Sequence, residues 1–200
     1  MPGGTVVLIV WNDPVRVERE LREGNLSCPH CDGALRPWGS SRARTLRSRS
    51  GTAELRPRRA RCSLCAKTSV LLPDVWLLRR VDEVAVIGAA LLAKATGTGH
   101  RKIATMLRRP PETVRGWLRR FAAKAEALCA HFHHWALALD ARLDQVTPQG
   151  SATNDALEAI GLATRGASVL LGPRMPWCFV SAMTNGMLLS NTSSPFPVPR

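Results

Sequence analysis

Four cysteines stand in two pairs, "CPHC" at 28–31 and "CSLC" at 62–65. Two thiolates separated by two residues can reach one metal ion from a single tight turn, and Gly33 suits the first of these turns. Four thiolates complete the tetrahedron that a structural zinc ion prefers. The sequence therefore predicts one structural zinc ion, with iron at the same site as the alternative, bound by Cys28, Cys31, Cys62 and Cys65.

The remaining chemistry-bearing residues do not form a comparable pattern. Cys129 with His131, His133 and His134 could resemble a second metal cluster, but on a helix these positions point to different faces. A four-thiolate site leaves no open position for a substrate, and the sequence has no phosphate loop, nucleophile elbow or "HExxH" motif. We therefore expect a protein that is not an enzyme.

The segment between the cysteine pairs is unusually basic, with nine arginines among its thirty residues. Guanidinium groups pair well with phosphates, and a metal-bound base would hold such a loop in a fixed place. A flexible, solvated basic linker is the alternative. The predicted phosphate contacts are Arg42, Arg44, Arg47, Arg49, Arg58 and Arg59.

The charge of the whole chain supports a polyanionic partner. The formal net charge is +13, of which residues 28–80 carry +9 and residues 81–130 carry +5. A membrane partner is not favoured, because the apolar stretches at 5–11 and 84–93 are far shorter than the ~20 residues that a span requires. With no export signal, we expect a cytoplasmic, nucleoid-associated protein with reduced cysteines.

A second motif, "GHRKIATMLRRPPETVRGWLRRF", follows at 99–121. Apolar residues at spacings of three and four predict helices between Val81 and about His134, three in number, with breaks at 96–99 and 109–111. This pattern is typical of a helix-turn-helix whose outward basic face enters a major groove of double-stranded DNA. A plain three-helix bundle with a solvated basic face is the alternative. The predicted DNA-binding residues are Arg108, Arg109, Thr113, Arg115, Gly116, Arg119 and Arg120.

These patterns predict a mainly α protein with a small β zinc ribbon. The zinc ribbon comes first, followed by a helix-turn-helix three-helix unit and a helical C-terminal region. The near-neutral C-terminal region is the predicted contact of a homodimer. The predicted divisions are an N-terminal strand and helix extension at 1–25, the ribbon with its Arg-rich loop at 26–74, the helix-turn-helix at 78–135, the helical region at 136–190 and a disordered tail at 191–200.

The two motifs together resemble a known arrangement. "CPHC…CSLC" followed by "GHRKIATMLRRPPETVRGWLRRF" is similar to the zinc-ribbon and helix-turn-helix front end of insertion-sequence transposases, and closest to actinobacterial proteins of unknown function with that layout. The resemblance covers about residues 26–135 and implies DNA binding by the 113–120 helix with a structural zinc upstream. A transposase would continue into a ribonuclease-H-like domain, for which we expect the residues after Phe121 to be too few.

We therefore expect a sequence-specific DNA-binding protein, either a regulator or a transposase-derived relic. An RNA-binding or protein-interaction adaptor is the main alternative, and a partial transposase subunit is a weaker one. RNA-binding modules generally carry aromatic residues for stacking, whereas the basic loop has only Trp38 near its edge.

Overall fold

A computed structural model of the chain describes residues 6–140 and 147–190, so the predicted tail at 191–200 lies outside the described residues. Within those ranges helices hold just under half of the residues, and the β component is small. The strands are β1 (Val6–Val10), β2 (Leu35–Ser40), β3 (Arg44–Arg47), β4 (Thr52–Leu55), β5 (Arg58–Cys62) and β6 (Thr68–Pro73). The helices are α1 (Pro14–Glu23), α2 (Val84–Ala95), α3 (His100–Leu107), α4 (Pro111–Ala122), α5 (Ala125–Leu139), α6 (Ala152–Leu171) and α7 (Pro176–Met183).

The predicted N-terminal strand and helix are present, and local capping residues bound the helix. Asp13 caps α1 by accepting a hydrogen bond from the Arg16 backbone N–H at 3.0 Å, and Pro14 occupies the first turn. Gly24 ends the helix in the left-handed conformation at φ 82°. The buried face of α1, Val17 and Leu21, packs on the cysteine-bearing sheet.

Four strands form the main sheet in the order β1, β6, β5, β2. β1 runs parallel to β6, with Val6 opposite Ser69, whereas the β6–β5 and β5–β2 pairs are antiparallel. The strand predicted for the N-terminal extension is thus hydrogen-bonded into the same sheet as the ribbon strands. Leu35 lies opposite Cys62, so this sheet also holds a cysteine of the second pair.

The Arg-rich loop that the sequence predicted between the cysteine pairs contains two further strands. β3 and β4 form a second, two-stranded antiparallel sheet, with Arg44 opposite Leu55 and Arg47 opposite Thr52. We call this sheet the basic hairpin, residues 44–55. It has an apolar anchor, because Leu46 is only 6% exposed and packs with Leu72, Val75 and Trp76. That buried leucine gives the hairpin a fixed side, which a solvated linker would lack.

The sequence predicted three helices between Val81 and His134, but this prediction was wrong, because the structure has four. The additional break lies between α4 and α5, where Lys124 has φ −122° and leaves the helical region. Neither glycine nor proline marks this position, so the pattern of helix breakers could not reveal it. The earlier breaks lie at 96–99, as predicted, and at 108–110, one residue before the predicted 109–111.

Helices α2 to α7 surround one apolar core that is separate from the core of the sheet. α2 is its central member, since Val84, Ile87 and Leu91 are at most 1% exposed. The sequence of α2, "VAVIGAALLAKA", is apolar on nearly every side, which accounts for this burial. α5 and α6 pack along each other and complete the core from the C-terminal side.

The C-terminal helix α7 closes the joint between the sheet and the helices. The hydroxyl of Ser181, which is fully buried, donates to the Trp76 carbonyl at 2.5 Å. The Leu78 backbone N–H donates to the Gly186 carbonyl at 2.9 Å. A Cβ on Gly186 would lie 3.0 Å from the Ile9 side chain, so this backbone packs directly on β1. Residues from both ends of the described chain therefore meet at Trp76.

None of the helices in the two described ranges combines the length and the apolar character that crossing a bilayer requires.

Candidate functional site

The four predicted ligand sulfurs lie together. The Sγ atoms of Cys28 and Cys65 are 3.7 Å apart, and those of Cys31 and Cys62 are 3.4 Å apart. All four lie within 4.8 Å of one another. Tetrahedral zinc with Zn–S bonds near 2.3 Å separates its sulfurs by about 3.8 Å. The cluster therefore has the size and the donor set to bind a metal ion.

Both cysteine pairs fold into the same local turn. The His30 N–H points to Cys28 Sγ at 3.5 Å, and the Leu64 N–H points to Cys62 Sγ at 3.3 Å. In each pair the residue after the second cysteine is left-handed, Asp32 at φ 56° and Ala66 at φ 57°. A left-handed residue reverses the chain after the turn, so each turn presents both of its sulfurs on one side.

Gly33 is required for a different reason from the one that the sequence suggested. The left-handed turn position is Asp32, whereas Gly33 itself is buried against the second cysteine pair. A Cβ on Gly33 would lie 2.9 Å from Cys62 Sγ and 2.8 Å from Leu64 Cγ. Glycine therefore allows the two turns to approach closely enough for four sulfurs to meet.

The backbone also favours the ionised form of one ligand. Hydrogen bonds from the N–H groups of Cys65 and Leu64 lower the pKa of the Cys62 thiol to about 6. Against a hydrogen bond from the Gly33 N–H, the neighbouring thiols raise the pKa of Cys31 to about 11, so the four thiols share protons that a bound metal ion would release. A metal held here by all four sulfurs would have no free coordination position, which fits a structural role.

The other cysteines and histidines lie elsewhere. In the part of the chain that the structure describes, no other group of histidine, cysteine and carboxylate side chains is arranged for a metal ion. Cys178 lies beside Asp74, and burial together with that carboxylate raises the pKa of its thiol to about 12. His131 points to the Met183 carbonyl at 3.0 Å and so connects α5 to the end of α7.

The six predicted phosphate-contacting arginines divide into two groups. Arg42, Arg44 and Arg49 are exposed along the basic hairpin and its approach. The others are partly buried and have partners in the protein: Arg47 on Asp82, Arg58 on Glu18, and Arg59 on the Thr68 hydroxyl. Only the first group is placed for contact with an outside anion without exchange of partners.

The second motif presents a basic surface on α4. Val114, Trp117 and Phe121 are at most 3% exposed and pack against the core. Arg115 and Arg119 are exposed one turn apart, and Arg115 lies 3.6 Å from Glu112 across the helix surface. The apolar and basic faces are therefore arranged as the periodicity predicted.

The other predicted DNA-binding residues have different environments. Arg108 is exposed and caps α3 in the left-handed conformation at φ 52°. Thr113 and Arg120 are half-buried. A Cβ on Gly116 would meet only the end of the Arg120 side chain. No neighbouring helix therefore lies close enough to require glycine at this position.

Arg109, the last of the predicted set, lies in a contact that sequence reasoning missed. Its side chain is only 10% exposed, and its Nε donates to the Asp82 carboxylate at 2.5 Å. The other oxygen of Asp82 accepts a hydrogen bond from Arg47 Nη2 at 2.8 Å. Asp82 thus connects the basic hairpin to the turn between α3 and α4.

Residues 28–109 match the model of a family described as a domain of unknown function (DUF6431). The chain is similar to that domain. The matched range begins at the first cysteine of the cluster and ends at Arg109, so it contains all four cysteines and Asp82 with both of its arginines. No curated protein and no solved structure matches the chain.

Proposed function

We propose that this protein binds double-stranded DNA in a sequence-specific manner, with α3, the 108–110 turn and α4 acting as a helix-turn-helix. The observation that carries the proposal is the division of α4 into two faces. Trp117 and its apolar neighbours are buried on one face, while Arg115 and Arg119 are exposed on the other. A helix with this division can lie in a major groove and still pack on its own domain.

The basic hairpin supplies the second part of the proposal. Arg44 lies on β3, Arg42 on the segment before it and Arg49 in the turn after it, and the long side chains of all three are exposed. Such side chains are suited to phosphates, which position a protein on DNA without reading its sequence. In this arrangement α4 reads bases and the hairpin contributes sequence-independent affinity.

We assign the metal site a structural role, with zinc as the ion. Four thiolates more than balance the charge of the ion and use every tetrahedral position, which supports holding the ribbon together rather than catalysis. The protein then acts without catalysis, either as a regulator or as a relic of a transposase. A second copy of the chain, bound through residues 136–190, would present two α4 helices to two half-sites.

RNA binding is the second candidate, because one exposed aromatic side chain favours it. Trp38 is 50% exposed on β2, and the Arg61 guanidinium lies 4.6 Å from the centre of its ring. An exposed ring next to a cation can stack on an unpaired base.

Selection of bound sequences from a random duplex pool, repeated at several salt concentrations, tests the proposal. We expect enrichment of one motif that persists as salt rises, because base contacts depend less on salt than phosphate contacts do. Recovery of two inverted half-sites would support the dimer. The proposal fails if no motif is enriched. Tighter binding of single-stranded RNA than of any duplex, abolished in a Trp38→Ala variant, would favour the RNA candidate.

A further inference from the structure

Asp82 is a buried carboxylate between two arginines from different parts of the chain. Its side chain is 3% exposed, and Arg47 and Arg109 donate to its two oxygens at 2.8 and 2.5 Å. A carboxylate removed from water is costly unless it is paired, so this position strongly favours the conformation in which both arginines reach it. One arginine belongs to β3 and the other follows α3.

Backbone groups strengthen the same joint. Arg109 Nη2 donates to the carbonyls of Arg47 and Ser48, at 3.3 and 2.9 Å. The Arg47 N–H donates to the Val81 carbonyl at 2.8 Å, and the Glu83 N–H donates to the Arg47 carbonyl at 3.0 Å. The hairpin is therefore hydrogen-bonded both to the segment that leads into α2 and to the turn before α4.

The tip of the hairpin is ordered as well. The Ser48 hydroxyl oxygen accepts hydrogen bonds from the N–H groups of Ser50 and Gly51, each at 3.1 Å. Arg49 lies inside this turn and Arg44 lies at the start of β3, both exposed. Burial of Leu46 against Leu72, Val75 and Trp76 anchors the hairpin. The hydrogen bonds of Arg109 to Arg47 and Ser48 join it to the α3–α4 turn, which also carries Arg108.

We propose that Asp82 is a positioning residue that joins the basic hairpin and the α3–α4 turn into one continuous cationic surface for a single DNA duplex. This inference rests on the proposed function and adds to it that both basic elements bind the same duplex at the same time. Asp82 contacts no DNA itself. It acts by holding Arg44, Arg49 and Arg108 at fixed separations, so that their contacts form together.

Replacement of Asp82 by asparagine tests this, because charge and position predict opposite results. Asp82→Asn removes one negative charge and removes none of the arginines. Charge alone therefore predicts tighter binding of DNA. If Asp82 positions the hairpin, the variant binds the selected duplex about tenfold more weakly at ~0.1 M salt. Its salt dependence should also become flatter by about 0.9 in slope for each phosphate that the hairpin no longer reaches.

Glu18→Gln is the matched control. Glu18 also pairs with an arginine of the ribbon, at 2.9 Å from Arg58 Nε, but it lies on α1 and away from the α3–α4 turn. This variant removes the same charge and should bind DNA at least as tightly as the parent. Weaker binding by both variants to the same degree would overturn the positioning role, as would tighter binding by Asp82→Asn.

A second variant keeps the test open if Asp82→Asn does not fold, as judged by metal content and circular dichroism. Arg109→Lys conserves charge but cannot reach Asp82 and two carbonyls with one planar group. We expect the salt dependence of duplex binding to become flatter in Arg109→Lys, as in Asp82→Asn. Unchanged affinity and slope in this variant would overturn the inference.

Amide hydrogen exchange provides a readout that needs no DNA. Exchange at 45–53 should accelerate in Asp82→Asn and in Arg109→Lys, and remain as in the parent in Glu18→Gln.

If the parent binds no duplex, the proposed function fails. Unchanged exchange at 45–53 in the variants would then also show that Asp82 does not hold the hairpin. If the parent binds DNA and exchange accelerates while affinity does not fall, the joint exists but has no part in binding, which overturns the inference while the proposed function stands.

Discussion

The indole of Trp177 in α7 covers the backbone of Gly88 in α2. A Cβ on Gly88 would lie 1.9 Å from Cε2 of that ring, far inside any normal contact. Trp177 packs against the helical core, and Gly88 is a buried residue of α2. The contact shows that a helix interior glycine, normally a disadvantage to a helix, is required here so that α7 can lie against α2.

Replacing Gly88 by alanine should lower the free energy of unfolding by about 1 to 3 kcal/mol, because the ring cannot yield without moving α7. Alanine favours a helix over glycine by about 1 kcal/mol, but this gain is smaller than the cost of the clash with the Trp177 ring. Gly116→Ala is the matched variant, since its Cβ would meet only the flexible end of Arg120. It should raise the free energy of unfolding by up to about 1 kcal/mol. Urea unfolding of both variants checks this, and equal changes would contradict it.

Cys62→Ser should abolish binding of the metal ion and the order of the ribbon, because three remaining thiolates cannot close the tetrahedron. Elemental analysis should give about one metal ion per parent chain and almost none in this variant. The helical circular dichroism should largely remain after chelation, since α2 to α7 have their own core. Cys178→Ser is the control variant and should bind as much metal as the parent protein. Full metal content in Cys62→Ser would refute the site.

Arg115→Ala should weaken binding to a selected duplex far more than binding to random DNA, because an arginine paired with guanine contributes about 1 to 3 kcal/mol of discrimination. Replacing Arg44 and Arg49 together should weaken binding to both duplexes alike and flatten the salt dependence. Arg47 is unsuitable for this test because it pairs with Asp82. Titrations on selected and scrambled duplexes distinguish these outcomes. An equal decrease on both duplexes for Arg115→Ala would mean that α4 is only a basic face.

Acid should destabilise the helical part through His131. Burial, together with the charge of nearby His134, lowers the pKa of His131 below its ordinary value of 6.5. The unfolded chain therefore binds the proton more readily, so this contribution to stability is complete above pH 6.5 and declines as the pH falls below it. Unfolding free energies measured from pH 7.5 to 5 should show the decline. The loss of stability between pH 7.5 and 5 should be smaller in His131→Gln than in His134→Gln. If His131→Gln loses as much stability as the parent, the assignment to His131 is contradicted.

The cysteine ligands and the helix faces could be predicted because their signals are local. Two residues between thiolates define a turn, and spacings of three and four define the buried side of α4, whatever the rest of the chain does. The break before α5 could not be predicted in this way, since it depends on packing around Lys124 and has no glycine or proline.

Asp82 could not be predicted because its partners are distant, 35 residues away for Arg47 and 27 for Arg109. In the sequence it looks like an ordinary acid before a helix. The only hint is its place in a strongly basic region, where an acid next to apolar residues is a candidate for pairing. The β3–β4 pairing was missed for a related reason, since Leu46 is a single apolar residue among arginines and serines and its burial depends on Trp76.

The closure of the joint at Trp76 by α7 has a consequence for synthesis of the protein on the ribosome. The sheet and α2 to α4 emerge from the ribosome before Ser181 and Gly186, whose hydrogen bonds to Trp76 and Leu78 complete the joint. Until residue 186 has emerged, the nascent chain exposes an apolar surface around Trp76, to which chaperones can bind and which can promote aggregation. Ribosome-bound chains stalled before and after this point should therefore differ in protease resistance at 74–83.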